Sequence, residues 1–268
     1  MEFTLGLAQT CHPEDGDVAL LVDRFMTHAK ERGVDLLVFP ECLMTRYEEE
    51  LGAFLAAAQP LDGPFAQAVD ALAAKHGLWV AYTLNEAGPD ANRPYNTLVL
   101  TDDTGTQVGF YRKTHLFDTD FTRESDRMAA GNALFQPVDT PFGYVGMAIC
   151  YDLRFPEVAR CAALQGADLM LYPAAWVDGK LKAEQWRTLL MARAIENEMF
   201  VAGVSRADTG RIGQSCIVDP RGVIIAQGGP DEELVVGRID TSLIDRVRKG
   251  MPVFSHRRPE LYAGIEDD

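Results

Sequence analysis

Apolar and polar residues along the chain change repeatedly between a strand-like and a helix-like period, which predicts strands interleaved with helices. Residues 3–10 run apolar like a strand. The next segment is predicted to be a helix with one apolar face, made by Val18, Leu21, Phe25 and either His28 or Ala29. The run VDLLVFPE at 34–41 then has the composition of a strand buried on both faces, and it ends in Glu41.

The middle of the chain favours a hairpin, because two β-rich runs across residues 96–115 flank a turn at Asp103, Thr104 and Gly105. The remaining pattern predicts helices at 63–77, after Pro156 and at 181–198, and a short helix before the tail from 254. It predicts strands at 78–87, 142–150, 167–173, 199–207, 215–219, 223–227 and 234–240. Crossovers mixed with hairpins imply mixed sheets covered by helices, hence a layered α/β fold in which the number of sheets is not fixed.

Size and charge narrow the class of protein. The 268 residues, 47% of them hydrophobic, can bury a large core, and one catalytic domain over residues 1–268 is the simplest interpretation. The formal net charge of -15 argues against nucleic acid and anionic membranes as partners. The N-terminus does not resemble a signal peptide and no window approaches a membrane span, so we expect a cytoplasmic protein that acts on small molecules.

Five cysteines are scattered along the chain without a C-x-x-C motif: Cys11, Cys42, Cys150, Cys161 and Cys216. This pattern predicts free thiols, most of them buried and inert. Cys150 differs, because the predicted strand stops there and Pro156 can begin a helix just beyond it. A thiol near a helix's positive end favours the thiolate, although a small buried hydrophobe is the common role of such a cysteine.

Two further polar residues end predicted strands. Glu41 follows LLVFP, and Lys113 closes the second strand of the hairpin. Alone, each is most simply a solvated surface group. Together with Cys150 they suit a cleft at one edge of a layered sheet, where a nucleophile needs a base and a cation near the developing oxyanion.

Three segments resemble the signature regions of the nitrilase superfamily of carbon–nitrogen hydrolases: VFPE at 38–41, YRKTHLFD at 111–118 and GMAICYDLRFPE at 146–157. The segments at 123–125, 192–201 and 213–226 agree as well, so the resemblance covers almost the whole chain. It implies a four-layer α-β-β-α sandwich in which Glu41 is the general base, Lys113 steadies the oxyanion, Cys150 attacks the carbonyl carbon, and Glu124 positions substrate or attacking groups. It implies no metal and no organic cofactor.

The nucleophile segment also bears on the substrate. Cys150 is followed by Tyr151 and Asp152, whereas true nitrilases of the superfamily usually show Cys-Trp-Glu, so the resemblance favours amides. The chain is most similar to the branch containing omega-amidase and deaminated-glutathione amidase, with N-carbamoyl-amine and aliphatic amide hydrolases as alternatives. Arg154 can grip a substrate carboxylate or pair with Asp152 or Glu157. The aromatic residues expected at the pocket wall or in the core are Tyr151, Phe117 and Trp176.

Other interpretations stay open. His115 precedes Cys150 and could serve as a base in a Cys-His pair, although we expect it to fix a loop through a backbone hydrogen bond. An acyltransferase shares the acyl-thioester, and a metabolite-binding protein could keep the fold without catalysis. The resemblance also implies a homodimer or larger assembly through the helix after the nucleophile, the helix near 181–198 and the tail from about 250.

Overall fold

The computed structural model describes residues 1–13, 16–46 and 49–262. Its strands are β1 (Glu2–Gln9), β2 (Leu36–Val38), β3 (Trp79–Glu86), β4 (Tyr95–Thr101), β5 (Gln107–Arg112), β6 (Val138–Thr140), β7 (Gly143–Met147), β8 (Leu169–Ala174), β9 (Phe200–Ser205), β10 (Cys216–Val218), β11 (Ile224–Gln227) and β12 (Glu233–Asp240). Its α-helices are α1 (Val18–Glu31), α2 (Leu51–Ala56), α3 (Pro64–His76), α4 (Pro156–Leu164), α5 (Lys182–Asn197) and α6 (Ser242–Gly250).

The strands described form two sheets of six. Sheet 1 has the order β12-β1-β2-β3-β4-β5, and sheet 2 has the order β11-β10-β9-β8-β7-β6. In sheet 1 the pairs β1-β2 and β2-β3 are parallel and the rest antiparallel. Sheet 2 repeats this arrangement, with β7-β8 and β8-β9 parallel. The two sheets therefore share one mixed topology, as the crossovers and hairpins predicted.

The sheets pack face to face, and helices cover their outer faces. Strand β2 shows why: Leu36 and Val38 belong to the core between the sheets, whereas Leu37 faces the core under α1 and α3. The strand is thus buried on both faces, as its continuous apolar run predicted. On the other side α4 and α5 cover sheet 2, which completes an α-β-β-α sandwich.

Helix α5 packs directly against a glycine in β9 of sheet 2. A Cβ atom on Gly203 would lie 2.5 Å from the Trp186 ring and 2.6 Å from Leu190, so only glycine admits the helix at this distance. Trp186 is fully buried and donates from Nε1 to the carbonyl of Gln214 at 3.0 Å. This contact fixes α5, whose first turn borders the cavity described below.

Most predicted elements are confirmed, and the differences are local. Ala29 takes the fourth position on the buried face of α1, while His28 is exposed. The turn at 103–105 joins β4 to β5, with Gly105 at φ +84°. The strand expected to reach Cys150 stops at Met147. The short elements α2 and β6 were not predicted, because six and three residues carry too little periodicity to recognise.

The segment after α6 contains short 3-10 turns at Phe254–His256 and Pro259–Leu261, and residues 263–268 lie outside the described part. The expected role of this tail in oligomer contacts stays a prediction. Within the described residues, no helix is both long enough and apolar enough to cross a bilayer.

Candidate active site

Three strand ends from the two sheets meet at one cavity of about 400 Å³. Glu41 lies three residues after β2, Lys113 directly follows β5, and Cys150 lies three residues after β7. The backbone N–H of Lys113 still donates to Asn96 at 2.9 Å, so the end of the hairpin holds its position. All three side chains and Glu124 line the cavity.

A buried ammonium lies between two buried carboxylates. Lys113 Nζ donates to Glu41 Oε1 at 2.8 Å and to Glu124 Oε2 at 2.8 Å, with Oε1 of Glu124 at 3.0 Å. Each of the three residues is 5% exposed or less. Such a cluster persists in the interior only because each charge has a partner.

Further donors fix both carboxylates. Glu41 Oε1 accepts from Asn96 Nδ2 and Oε2 accepts from the backbone N–H of Ala175, both at 2.8 Å. Ala175 directly follows β8, so this bond joins the two sheets at the site. Glu124 begins a 3-10 turn and accepts from the backbone N–H of Phe117 at 2.7 Å. Asn96 and Ala175 were missed from sequence, because a strand asparagine and a backbone amide carry no pattern of their own.

The charges shift the pKa values within the cluster in different directions. Burial alone would raise the pKa of Glu41, but the Lys113 ammonium and hydrogen bonds, including one with Cys150, hold it below its usual value. Burial, together with the Glu41 charge, raises the pKa of Glu124 despite Lys113. Burial would lower the pKa of Lys113, yet the two carboxylates raise it well above its usual value. At neutral pH the cluster therefore contains an ammonium beside the ionised Glu41.

Cys150 occupies a strained position at the start of a 3-10 turn over residues 150–154. Its φ is +47°, a left-handed conformation that a non-glycine residue adopts at a cost of about 1–3 kcal/mol. The expectation of a favoured thiolate is wrong. Burial raises the pKa of the Cys150 thiol well above its usual value, and the nearby Glu41 charge adds to this effect. The thiol is therefore protonated at neutral pH.

The other cysteines are all free thiols, as predicted, but Cys216 is fully buried whereas Cys11, Cys42 and Cys161 are half-buried. The expectation that most of them lie in the core is therefore wrong. Cys42 lines the cavity beside Glu41, and burial raises its pKa to about 12. What distinguishes Cys150 from Cys42 is its hydrogen bond with the Glu41 carboxylate. Among the described residues, no three His, Cys, Asp or Glu side chains are grouped to hold a metal ion.

Comparison with known proteins identifies the family. The model of the carbon-nitrogen hydrolase family matches residues 4–249. The chain belongs to this family. It is 38% identical over 227 residues to deaminated glutathione amidase of Rattus norvegicus, covering 79% of this chain and 68% of that protein. It is 31% identical over 262 residues to an omega-amidase of Saccharomyces cerevisiae, covering 92% and 88%.

A solved structure agrees with the fold. A branch 10 member of the nitrilase superfamily from Saccharomyces cerevisiae superposes with a TM-score of 0.85 at 28% identity, covering 96% of this chain and 97% of that one. The sandwich of this carbon–nitrogen hydrolase is thus the superfamily fold that its three signature segments predicted.

The predicted substrate residues all lie in the cavity wall of this carbon–nitrogen hydrolase, namely Phe117, Tyr151, Arg154 and Trp176. Arg154 pairs with neither Asp152 nor Glu157. It donates to Gln185 Oε1 at 2.9 Å, and its guanidinium lies 5.0 Å from the centre of the Trp176 ring. Trp176 also belongs to the core. Lys182 and Arg211 line the cavity too and were missed, because nothing in the local pattern marks them.

His115 is not among the described residues that line the cavity. The expected loop-fixing bond exists, but its partner is a side chain: His115 Nδ1 lies 2.7 Å from Asp152 Oδ1. The imidazole also stacks on the Phe155 ring with 3.7 Å between centroids. This placement leaves Glu41 as the group that meets the thiol.

Proposed function

We propose that this carbon–nitrogen hydrolase is an amidase that cleaves a small amide bearing a carboxylate, through an acyl-thioester on Cys150. The observation that carries the proposal is the cavity in which Cys150 meets the Glu41, Lys113 and Glu124 cluster. Its volume of about 400 Å³ suits a small molecule. The relatives named deaminated glutathione amidase and omega-amidase support the same substrate class.

In the acylation half of the reaction, Glu41 acts as general base. The Cys150 thiol is protonated and Glu41 is ionised at neutral pH, so the carboxylate takes the proton as Sγ attacks the carbonyl carbon. Lys113 stabilises the oxyanion that forms. The C–N bond then breaks as Glu41 returns the proton to the departing nitrogen, which leaves as ammonia or an amine.

In the deacylation half, Glu41 takes a proton from water, and the hydroxide formed attacks the thioester carbonyl. The C–S bond breaks, the acid leaves, and the proton returns to the sulfur. Glu124 keeps Lys113 in place through two hydrogen bonds while charge develops on the substrate. No redox partner or external nucleophile other than water is consumed.

The carboxylate preference rests on cations at the cavity wall. The Arg154 guanidinium contacts two uncharged groups, the Gln185 amide and the Trp176 ring, so a substrate carboxylate can pair with it. Lys182 lies near the same wall, with Nζ 5.7 Å from the centre of the Phe117 ring. In a chain of net charge -15, a local cation is needed for an anion to bind.

An assay of ammonia or amine formation tests the proposal. The parent enzyme and Cys150→Ala are assayed for ammonia or amine release from 2-oxoglutaramate, 2-oxosuccinamate, deaminated glutathione, N-carbamoyl compounds, uncharged amides and nitriles. We expect turnover of at least one of the acids and none by the variant, whose melting temperature stays close to that of the parent. Full activity of Cys150→Ala would contradict the mechanism, and a preference for uncharged or carbamoyl substrates would contradict the substrate class.

We further propose that the enzyme acts in the cytoplasm as a homodimer or larger homo-oligomer, as expected from the sequence. Light scattering coupled to gel filtration tests the assembly. A monomer at micromolar concentration would contradict it.

A further inference from the structure

A single buried carboxylate ties the turn that holds the nucleophile. Asp152 is fully buried, and its Oδ2 accepts from the backbone N–H of Ile149 at 2.9 Å. The backbone N–H of Asp152 donates in return to the carbonyl of Ile149 at 3.0 Å. These two bonds close a ring around Cys150, whose left-handed conformation requires support from its surroundings.

The same carboxylate reaches the segment that carries Lys113. Oδ2 accepts from the Tyr111 hydroxyl at 2.9 Å. Oδ1 lies 2.7 Å from Nδ1 of His115, 3.1 Å from its backbone N–H and 3.3 Å from Oγ1 of Thr114. Tyr111 and His115 flank Lys113 on either side. Asp152 therefore connects the end of β5 in sheet 1 to the turn after β7 in sheet 2.

The contacts require acceptors on both oxygens. Backbone N–H groups approach Oδ1 and Oδ2 from opposite segments, and they can only donate. An asparagine would turn an NH2 group toward one of these donors, whichever way its amide is oriented. The imidazole of His115 satisfies Oδ1 as a donor, and stacking on Phe155 holds its plane.

We propose that Asp152, with His115 as its donor, is a positioning residue that sets the distance between the Cys150 sulfur and the Lys113 ammonium. The inference rests on the proposed function, because it assumes that these two groups act on one carbonyl. Asp152 does not line the cavity among the described residues. It acts through the backbone on either side of the reacting groups, so its loss affects the chemical step and leaves substrate affinity nearly unchanged.

Asp152→Asn tests this positioning role directly. We expect kcat to fall about 10²-fold, since a misplacement of reacting groups near 1 Å has that effect, while KM changes less than about threefold. Circular dichroism and the melting temperature verify the fold of the variant. A kcat within about threefold of the parent value in a folded variant would overturn the proposal.

Two substitutions of His115 supply a matched pair that perturbs the core less. In His115→Asn the amide Nδ2 replaces imidazole Nδ1 as donor to Asp152, whereas His115→Phe keeps an aromatic ring against Phe155 but removes the donor. We expect His115→Asn to keep kcat within about threefold, and His115→Phe to lower it about tenfold, the effect of one hydrogen bond to a charged group. This pair decides the question if Asp152→Asn does not fold.

Each other outcome overturns the inference. Equal losses in both His115 variants would show that the imidazole itself is required, as a Cys-His base would be. Parent-like kcat in both would show that the donor has no effect. If the parent enzyme turns over an amide and Cys150→Ala does not, the proposed function stands, and either of these outcomes rules out only the positioning role of Asp152. If the parent turns over no amide, the proposed function fails first.

Discussion

Removal of the Lys113 ammonium would expose the electrostatic balance of the site most directly. Lys113→Met keeps a chain of similar length in a position that is 2% exposed, and it deletes the hydrogen bonds to Glu41 and Glu124. With both carboxylates ionised, the three-residue cluster changes from one net negative charge to two. Neither carboxylate can move to water without disrupting the core.

The expected loss of stability is large. Removing one partner of a buried ion pair destabilises a protein by about 3–5 kcal/mol. For a chain of this size that corresponds to a fall in Tm of roughly 6–20 °C. Loss of an oxyanion donor would independently lower kcat at least ~10²-fold.

The pH dependence has a definite sign. Without the ammonium, burial and mutual repulsion raise the folded-state pKa of both carboxyls above the unfolded value of about 4.3. The folded variant then holds a proton that the unfolded chain releases, so its stability falls as pH rises above that value. We expect the Tm deficit against the parent to be larger at pH 7.5 than at pH 5.5, and Glu124, whose pKa is already raised in the parent, to take the proton first.

Calorimetry with two companion variants makes the argument testable. Lys113→Met/Glu124→Gln removes one carboxylate charge, so it should recover part of the lost Tm at pH 7.5 and stay inactive. Lys75→Met is the control, because its pair with Asp23 at 2.8 Å is 59% exposed on the lysine side and worth at most about 1 kcal/mol. If the double variant is no more stable than Lys113→Met and the deficit is independent of pH, the repulsion argument is wrong.

Three further predictions concern catalysis and binding. Glu41→Gln should prevent acylation, so mass spectrometry of the intact protein mixed with substrate should show no acyl adduct on Cys150; an adduct formed at the parent rate would assign the base elsewhere. Arg154→Ala should raise KM about tenfold for the acid and much less for its neutral analogue, with a preference that weakens as salt rises; equal effects on both substrates would exclude a carboxylate contact. The profile of kcat/KM should be flat between about pH 6 and 8, because the pKa of Glu41 is lowered and that of Cys150 raised; an inflection near the ordinary histidine pKa of about 6.5 would favour a histidine base.

Periodicity was sufficient to recognise the long elements, although not where each strand ends, as β7 shows. Helices α1 and α3 and the β4-β5 hairpin each combine a clear period with a recognisable turn or cap, whereas β2 was recognised by its continuous apolar run. Family resemblance added the number of sheets, which periodicity could not supply, because each sheet alone has the same local pattern. It also implied roles for Glu41, Lys113 and Cys150, which their positions at the ends of predicted strands had already singled out.

Contacts between distant segments could not be predicted in this way. The acceptor role of Asp152 depends on β5 and β7 belonging to different sheets that dock, and no local pattern contains that information. The pKa of Cys150 was misjudged for a related reason. Backbone dipoles near the turn could be anticipated, but the burial and the Glu41 charge that outweigh them arise only in the assembled core.

The hydrogen bond from the Ala175 backbone N–H to Glu41 joins the two sheets, so the site is complete only in the folded protein. Glu41, the proposed base, and Lys113 follow strands of sheet 1, whereas Cys150 follows a strand of sheet 2. A nascent or partly unfolded chain with undocked sheets therefore carries an ordinary thiol, without a proton acceptor or an electrophilic aid beside it. In the proposed mechanism, the thiol can therefore attack an amide only when the two sheets are docked.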